Sequence, residues 1–358
     1  MLEVIKDWYR RHFSDPQVVI LALLLLAGLL TIIFMGNILA PVIAALVIAY
    51  LLDGGVAQLL KLHLPRLLAV SIVFSLFMAF LLVVTFWLVP LLSQQLSQFV
   101  RELPNMVSQG QTALLQLPER YPEFVSEEQV RRALSAISSE VTSMGQTVIS
   151  WSLSSFVGVV TFLVYLVLVP VTAFFLLKDK YQILAWSSRF LPADRGLANK
   201  VWHDVNDKIA SYVRGKFVEI LLVWVASYVT FKYLGVDYAM LLSALVGLSV
   251  IIPYIGAIVV TLPVALVGYF QWGASQEFLY LVLAYGVIQF FDANLLVPLL
   301  FSEVVNLHPV AIIVAVLFFG GIWGVWGVFF AIPLASLLQA VLDAWPRQLS
   351  AGDQAEEG

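Results

Sequence analysis

The chain has 358 residues, 61% of them hydrophobic and 12% charged, and its 19 basic and 23 acidic side chains give a formal net charge of −4. A soluble domain carries roughly 45–50% apolar and about 25% charged residues, so this composition excludes a water-soluble globule and makes lipid the solvent. The scattered Lys and Arg form no basic stripe, which excludes a nucleic-acid partner. With no cysteine, disulfides, thiolate metal sites and a cysteine nucleophile are excluded as well.

A helix rises 1.5 Å per residue, so crossing about 30 Å of hydrocarbon takes roughly 20 apolar residues. Uncharged runs at 18–35 and 37–52 stand almost without a loop between them, and a third lies at 67–92. A fourth follows at 151–177 after a long polar interval, and a fifth has its core at 220–231 between Glu219 and Lys232. The run 238–270 is broken by Pro253 and Pro263, 278–300 contains Asp292 and Pro298, and 309–342 contains Pro333. The predicted fold class is an all-α integral membrane protein with about eight transmembrane helices, some broken or re-entrant.

With the N-terminus inside, 14 basic residues fall on the cytoplasmic side, including Lys61, Arg66, Lys178, Lys180, Arg214 and Lys216. Five fall outside: Arg101, Arg120, Arg131, Arg132 and Lys232. The positive-inside bias predicts cytoplasmic termini. Two polar intervals are patterned. Leu92, Leu96, Phe99, Leu103 and Met106 form one heptad seam and Val130, Leu134, Ile137, Val141, Met144 and Val148 another, with Pro118 and Pro122 at the turn. This predicts an extracytoplasmic helical hairpin between spans three and four, its seams packing on each other or on another subunit. On the other side Leu197, Val201, Val205, Ile209 and Tyr212 predict an amphipathic helix on the membrane surface or against the bundle. The expected organisation is 1–92 with three spans, 93–150 as the hairpin, 151–216 with the fourth span and the amphipathic helix, 217–345 as a C-terminal bundle, and 346–358 as a cytoplasmic tail.

A carboxylate at the bilayer centre costs at least about 2.5–3.5 kcal/mol, so an acidic residue in an apolar run faces a cavity or a partner. Asp292 is the clearest case: Tyr285, Gln289 and Asp292 at i, i+4 and i+7 form one polar stripe, and Asn294, Glu303, Asn306 and His308 follow. Between Lys232 and Arg347 there is no Lys or Arg, so a cationic partner for Asp292 must be Lys232 or come from an earlier helix. Without one, Asp292 is protonated at neutral pH or held by water, a bound cation or groups such as Gln289 and Tyr285. Pro253 and Gly256 interrupt an overlong run, and interrupted helices offer free backbone groups to ligands; a simple proline kink explains them equally. Gly320, Gly324, Gly327, Ala331 and Ala335 form a smooth stripe that admits another helix at close range. Ser154, Gly158, Thr161, Tyr165 and Thr172 give the fourth span a small and polar face.

His12, His63, His203 and His308 belong to no H-E-x-x-H pair, and neither a G-x-S-x-G elbow nor a P-loop occurs. No enzyme, built-in ATPase, cofactor or metal site is expected. Other strings carry a resemblance: F-F-L-L-K-D at 174–179, Y-V-R-G-K at 212–216, I-P-Y-I-G at 252–256, Asp292 through Pro298, N-L-H-P at 306–309, Gly320, Gly321, Gly324, Gly327, and A-I-P at 331–333. In their order and spacing the chain resembles the autoinducer-2 exporter family of bacterial membrane proteins over nearly its full length. The resemblance implies about eight spans, a large insertion between the third and fourth, residence in the bacterial cytoplasmic (inner) membrane, and homo-oligomers. Within that family it implies export of a small signalling molecule for some members and sodium/proton antiport for others.

The leading expectation is a permease or secondary transporter whose small solute or monovalent cation passes Asp292, Glu303 and the Pro253–Gly256 break. The alternatives are a sodium/proton antiporter exchanging at Asp292 or Glu303, and a non-transporting membrane scaffold whose external hairpin binds an envelope partner.

Overall fold

The computed structural model describes residues 16–115, 128, 155–190, 196–301 and 307–344. The turn and second arm of the expected hairpin, the tail 346–358, and Glu303 and Asn306 lie outside the described residues. Those described are helical, without a strand. Seven stretches are long and apolar enough to cross a membrane, or eight if the pair at 162–190 counts as one span. Leu23, Phe34, Leu76, Phe86, Val167, Ile258, Leu262 and Phe290 stand exposed on them, as residues that face acyl chains do.

The first two runs lie on one element, α1 (Pro16–Lys61). Leu21 packs in a cluster with Val201, Val205 and Val341, while Tyr50 donates to Asn206 Oδ1 at 2.8 Å. On a straight helix Leu21 and Tyr50 would stand about 43 Å apart. Both instead meet one short stretch of a single helix, so α1 folds back on itself, with arms Val19–Gly36 and Ile38–Lys61.

Helix α2 (Arg66–Val83) passes through a π turn at Val84–Leu88 into α3 (Val89–Leu115), so the first heptad seam continues a span. That seam has partners of its own. Phe99 stacks edge-on against Tyr238 at 5.6 Å, and Gln95 Oε1 accepts from the Leu241 amide at 2.8 Å. Gln95 thereby satisfies one of the orphan amides that every helix leaves in its first turn.

Helix α4 (Ser155–Lys178) ends where the chain bends by 82° into α5 (Lys180–Ser187). Arg66 Nη2 donates to the carbonyl of Leu177 at 2.8 Å and the guanidinium stacks 4.6 Å over Tyr181. A cation thus closes the electronegative end of α4. The amphipathic stripe and the fifth span form one helix, α6 (Gly196–Leu234), whose Val201, Val205 and Tyr212 are buried against the bundle. At 39 residues it is about 58 Å long, nearly twice the hydrocarbon thickness.

The overlong run after Lys232 forms two helices, α7 (Ala239–Ser249) and α8 (Ile255–Trp272). Next come α9 (Gln276–Phe291), started by Ser275, whose hydroxyl accepts from the Phe278 amide, then a π turn at Asp292–Leu296 and α10 (Val297–Phe301). A cluster of Val223, Phe231, Leu242, Val246, Val264, Val267 and Leu281 binds α6, α7, α8 and α9 together.

The last run, α11 (Pro309–Ala344), is interrupted at Gly324, whose φ of 59° and ψ of −137° are not helical. A Cβ on Gly320 would stand 2.8 Å from Val328, and one on Gly327 would run into the Phe319 carbonyl. Residues eight apart touch only if the chain turns back, so α11 is a helical hairpin with its tip at Gly324. The helix admitted by the Gly320, Gly327 and Ala331 stripe is the other half of the same run. The tip also meets α1, because a Cβ on Gly36 would strike the Trp323 indole.

Candidate functional site

The site begins on α6. Tyr212, Gly215, Lys216 and Glu219 share one face of the helix by their i, i+3, i+4 and i+7 spacing. Gly215 allows α10 to come close, since a Cβ there would lie 2.9 Å from the Phe301 ring. Lys216 and Glu219 are 3% and 2% exposed and form an ion pair of 2.5 Å. The Lys216 ammonium also donates to the Val250 carbonyl at 3.0 Å and lies 4.9 Å from the centre of the Phe301 ring.

Val250 stands where α7 stops, at the negative end of that helix. The linker to α8 turns through Tyr254, at a φ of 62°. Gly256 makes the turn possible, because any Cβ there would collide with the Ser249 carbonyl. The Ile252 amide donates to the Ser249 carbonyl at 3.0 Å and the Gly256 amide to the Ile252 carbonyl at 2.9 Å. Pro253, half-buried between them, has no amide to satisfy.

Asp292 completes the site. It is 8% exposed and opens the π turn in the helix that packs across this break. Single π turns inside helices are frequent at functional positions, since the extra residue re-aims side chains. Asp292 lies within electrostatic reach of both Lys216 and Glu219. Its Oδ1 and the Nε2 of Gln289 are buried without a hydrogen-bond partner among the described residues. One turn further, Tyr285 donates to the Ala257 carbonyl at 3.1 Å and accepts from Thr261 Oγ1 at 3.4 Å. Three ionisable groups, one basic and two acidic, therefore share a poorly solvated space beside a broken helix. Stripping ions of water costs several kcal/mol each, so the pair endures only through close geometry and added hydrogen bonds.

Of the residues expected from sequence, Asp292, Gln289 and Tyr285 lie on one face, and Pro253 and Gly256 form the break beside it. Asn294 points elsewhere: it is exposed and donates to the Phe290 carbonyl of its own helix at 2.9 Å. His308 is exposed as well, and its Nδ1 accepts from the Val310 amide at 3.3 Å, as a cap for α11. Gly320, Gly324, Gly327 and Ala331 belong to the α11 hairpin, where Ala331 is buried in a cluster with Tyr212, Val213 and Phe301. Sequence reasoning missed Lys216 and Glu219 as members of the site. The available signal was their i, i+3 spacing at the edge of an uncharged run, together with the requirement that a cation for Asp292 come from an earlier helix. The alternative, Lys232, is exposed at the far end of α6.

Apolar helices that expose their side chains around a buried charged cluster define a multi-pass membrane transport protein. The AI-2E family transporter profile matches residues 21–347, and the chain belongs to that family. It is 46% identical over 346 residues to the candidate permease PerM of Escherichia coli (strain K12), covering 97% of this chain and 98% of that one. It is also similar to the candidate transport protein YueF of Bacillus subtilis (strain 168), 28% identical over 316 residues, with 86% and 84% of the chains covered. A candidate transport protein of Thermotoga maritima is 21% identical over 332 residues, with 91% and 94% covered.

Proposed function

We propose that the chain is a secondary transporter of the bacterial cytoplasmic membrane. Its path passes Asp292 and the Lys216–Glu219 pair at the α7–α8 break. The observation that carries this reading is the buried trio itself: two carboxylates and one ammonium at a place where backbone groups are freed. With all three ionised the site carries one net negative charge, which a single proton or monovalent cation neutralises. Such a site is costly to keep in a protein of otherwise apolar walls, as intramembrane ionisable groups are. The Lys61, Arg66, Lys178, Lys180 and Arg214 end supports a cytoplasmic assignment by the positive-inside bias. Arg66 and Lys180 tie that end together through bonds to Leu177 and Asp53. Leu21 and Val341, near the two ends of the described chain, share one cluster, which supports both termini lying on that side.

The test is flux in proteoliposomes. Asp292→Asn keeps shape and hydrogen bonding but cannot exchange a proton or neutralise a cation, so it is expected to abolish coupled transport while insertion stays intact. Dissipating the sodium and proton gradients separates an antiporter, which stops, from a facilitator, which continues down its solute gradient. Unchanged flux in Asp292→Asn and in Glu219→Gln would remove the buried trio from the mechanism.

A further inference from the structure

A second feature lies away from the buried trio, at the bend between α4 and α5. The 82° turn at Asp179 sets α5 almost perpendicular to a span, and hence close to the membrane plane. Tyr181, Leu184, Trp186 and Phe190 are exposed along this segment, with Trp202 on the nearby start of α6. Aromatic side chains in such number, flanked by Lys178 and Lys180, mark the headgroup level of a bilayer.

At that level the structure holds a half-open cavity of about 270 Å³, lined in part by Leu46, Ala49, Leu176, Leu177 and Leu184. Its polar lining is Tyr50, Asp53, Lys180 and Asn206. Lys180 Nζ and Asp53 Oδ2 are 2.9 Å apart, and both side chains are partly exposed, at 40% and 30%. Pairs this exposed contribute little, so their charges can open towards another partner at little cost. The cavity thus offers an apolar wall on its span side, and one positive and one negative group on its water side.

We propose that this cavity binds a zwitterionic phospholipid carrying a primary ammonium, with the phosphate at Lys180, the ammonium at Asp53, and the glycerol and first acyl carbons against the leucines. Three observations select this occupant. The cavity sits where headgroups sit, so a lipid is the amphiphile it meets at the highest concentration. Its charges sum to zero, which matches a zwitterion and gives an anionic headgroup an unanswered repulsion from Asp53. A quaternary ammonium fits less well, because it has no N–H to donate to the carboxylate.

The experiment uses the full-length chain, stripped of lipid in detergent and offered dioleoyl phosphatidylethanolamine, phosphatidylcholine or phosphatidylglycerol. Retained lipid is counted by native mass spectrometry, and the shift in melting temperature is recorded alongside. Phosphatidylethanolamine is expected to be retained over the other two by about threefold or more, from charge contacts each of the exposed-pair size. Asp53→Asn and Lys180→Met should each bring that ratio close to one, whereas Lys178→Met, outside the cavity, should leave it unchanged. Leu184→Trp fills the cavity from a half-exposed position without touching either charge, and should lower retention of all three lipids. A ratio that survives both charge variants overturns the proposal, as does equal or better retention of phosphatidylglycerol by the wild-type chain, or retention of no lipid. The melting temperature without lipid identifies any variant lost to misfolding, and Leu184→Trp then carries the test.

Discussion

Two breaks interrupt the apolar C-terminal half, one between α7 and α8 and one within α11, and their backbones are much alike. Each turns at a residue of positive φ, Tyr254 at 62° and Gly324 at 59°. Each depends on a glycine whose Cβ would strike a carbonyl across the turn, Gly256 against Ser249 and Gly327 against Phe319. Their surroundings differ. The α7–α8 break ends on a carbonyl taken by Lys216, beside Glu219 and Asp292. The α11 hairpin is packed by Ile312, Ala315, Val316, Phe319, Val328, Ala331 and Ile332. On the reading proposed above, a broken helix is not by itself enough to make a transport site. What distinguishes the two is whether the groups beside the break are charged or merely fill space.

The sharpest way to test that difference is Lys216→Met, which leaves Glu219 and Asp292 buried without their cation. A loss of about 3–5 kcal/mol is expected, as for other broken buried pairs, read as a lower melting temperature in detergent. Replacing both partners, Lys216→Met with Glu219→Met, should recover most of that stability, because apolar groups of similar volume replace buried pairs at little cost. Transport should nevertheless stay absent. If the double variant transports normally, the pair is structural and the two breaks are equivalent.

Smaller effects follow from the glycines. Gly327→Ala and Gly256→Ala should each cost about 1–3 kcal/mol through overpacking. Their transport should differ, however: Gly327→Ala should lower flux only in proportion to the folded protein, and Gly256→Ala beyond that. Equal flux per folded molecule would erase the distinction. At the bottom of the scale, His308→Ala should cost about 0.5–1 kcal/mol as a lost cap, with flux unchanged. A lost flux in that variant would restore His308 to the path.

The helical fold was legible because apolar runs of about 20 residues admit few alternatives in lipid, and the run at 67–92 falls on α2–α3 while the described part of the run at 151–177, from Ser155 on, falls on α4. The run 309–342 shows where the reading stops. Its glycine spacing announces close approach but not of which helix, and only the conformation of Gly324 makes the partner its own second half. Asp292 was legible from its cost, since a lone carboxylate among apolar neighbours stands out in any sequence. Lys216 and Glu219 were not, because they sit at the edge of a charged segment and look like ordinary flanking residues there. Their burial follows from α6 running unbroken through 39 residues, which carries what looked like surface sequence into the bundle.

That length makes α6 a lever. Gly215 rests directly on Phe301 and forms a fulcrum one residue from Lys216, while Trp202 and Asn206 lie on the N-terminal arm, in the lining of the surface cavity. The arm from Gly215 to Trp202 is about 20 Å, so a tilt of roughly 5° that barely displaces the ammonium moves Trp202 by about 2 Å. A displacement of that size is comparable to the hydrogen bond that Tyr50 donates to Asn206 at 2.8 Å. Any tilt of α6 about Gly215 would therefore displace the residues lining the surface cavity far more than the buried ammonium.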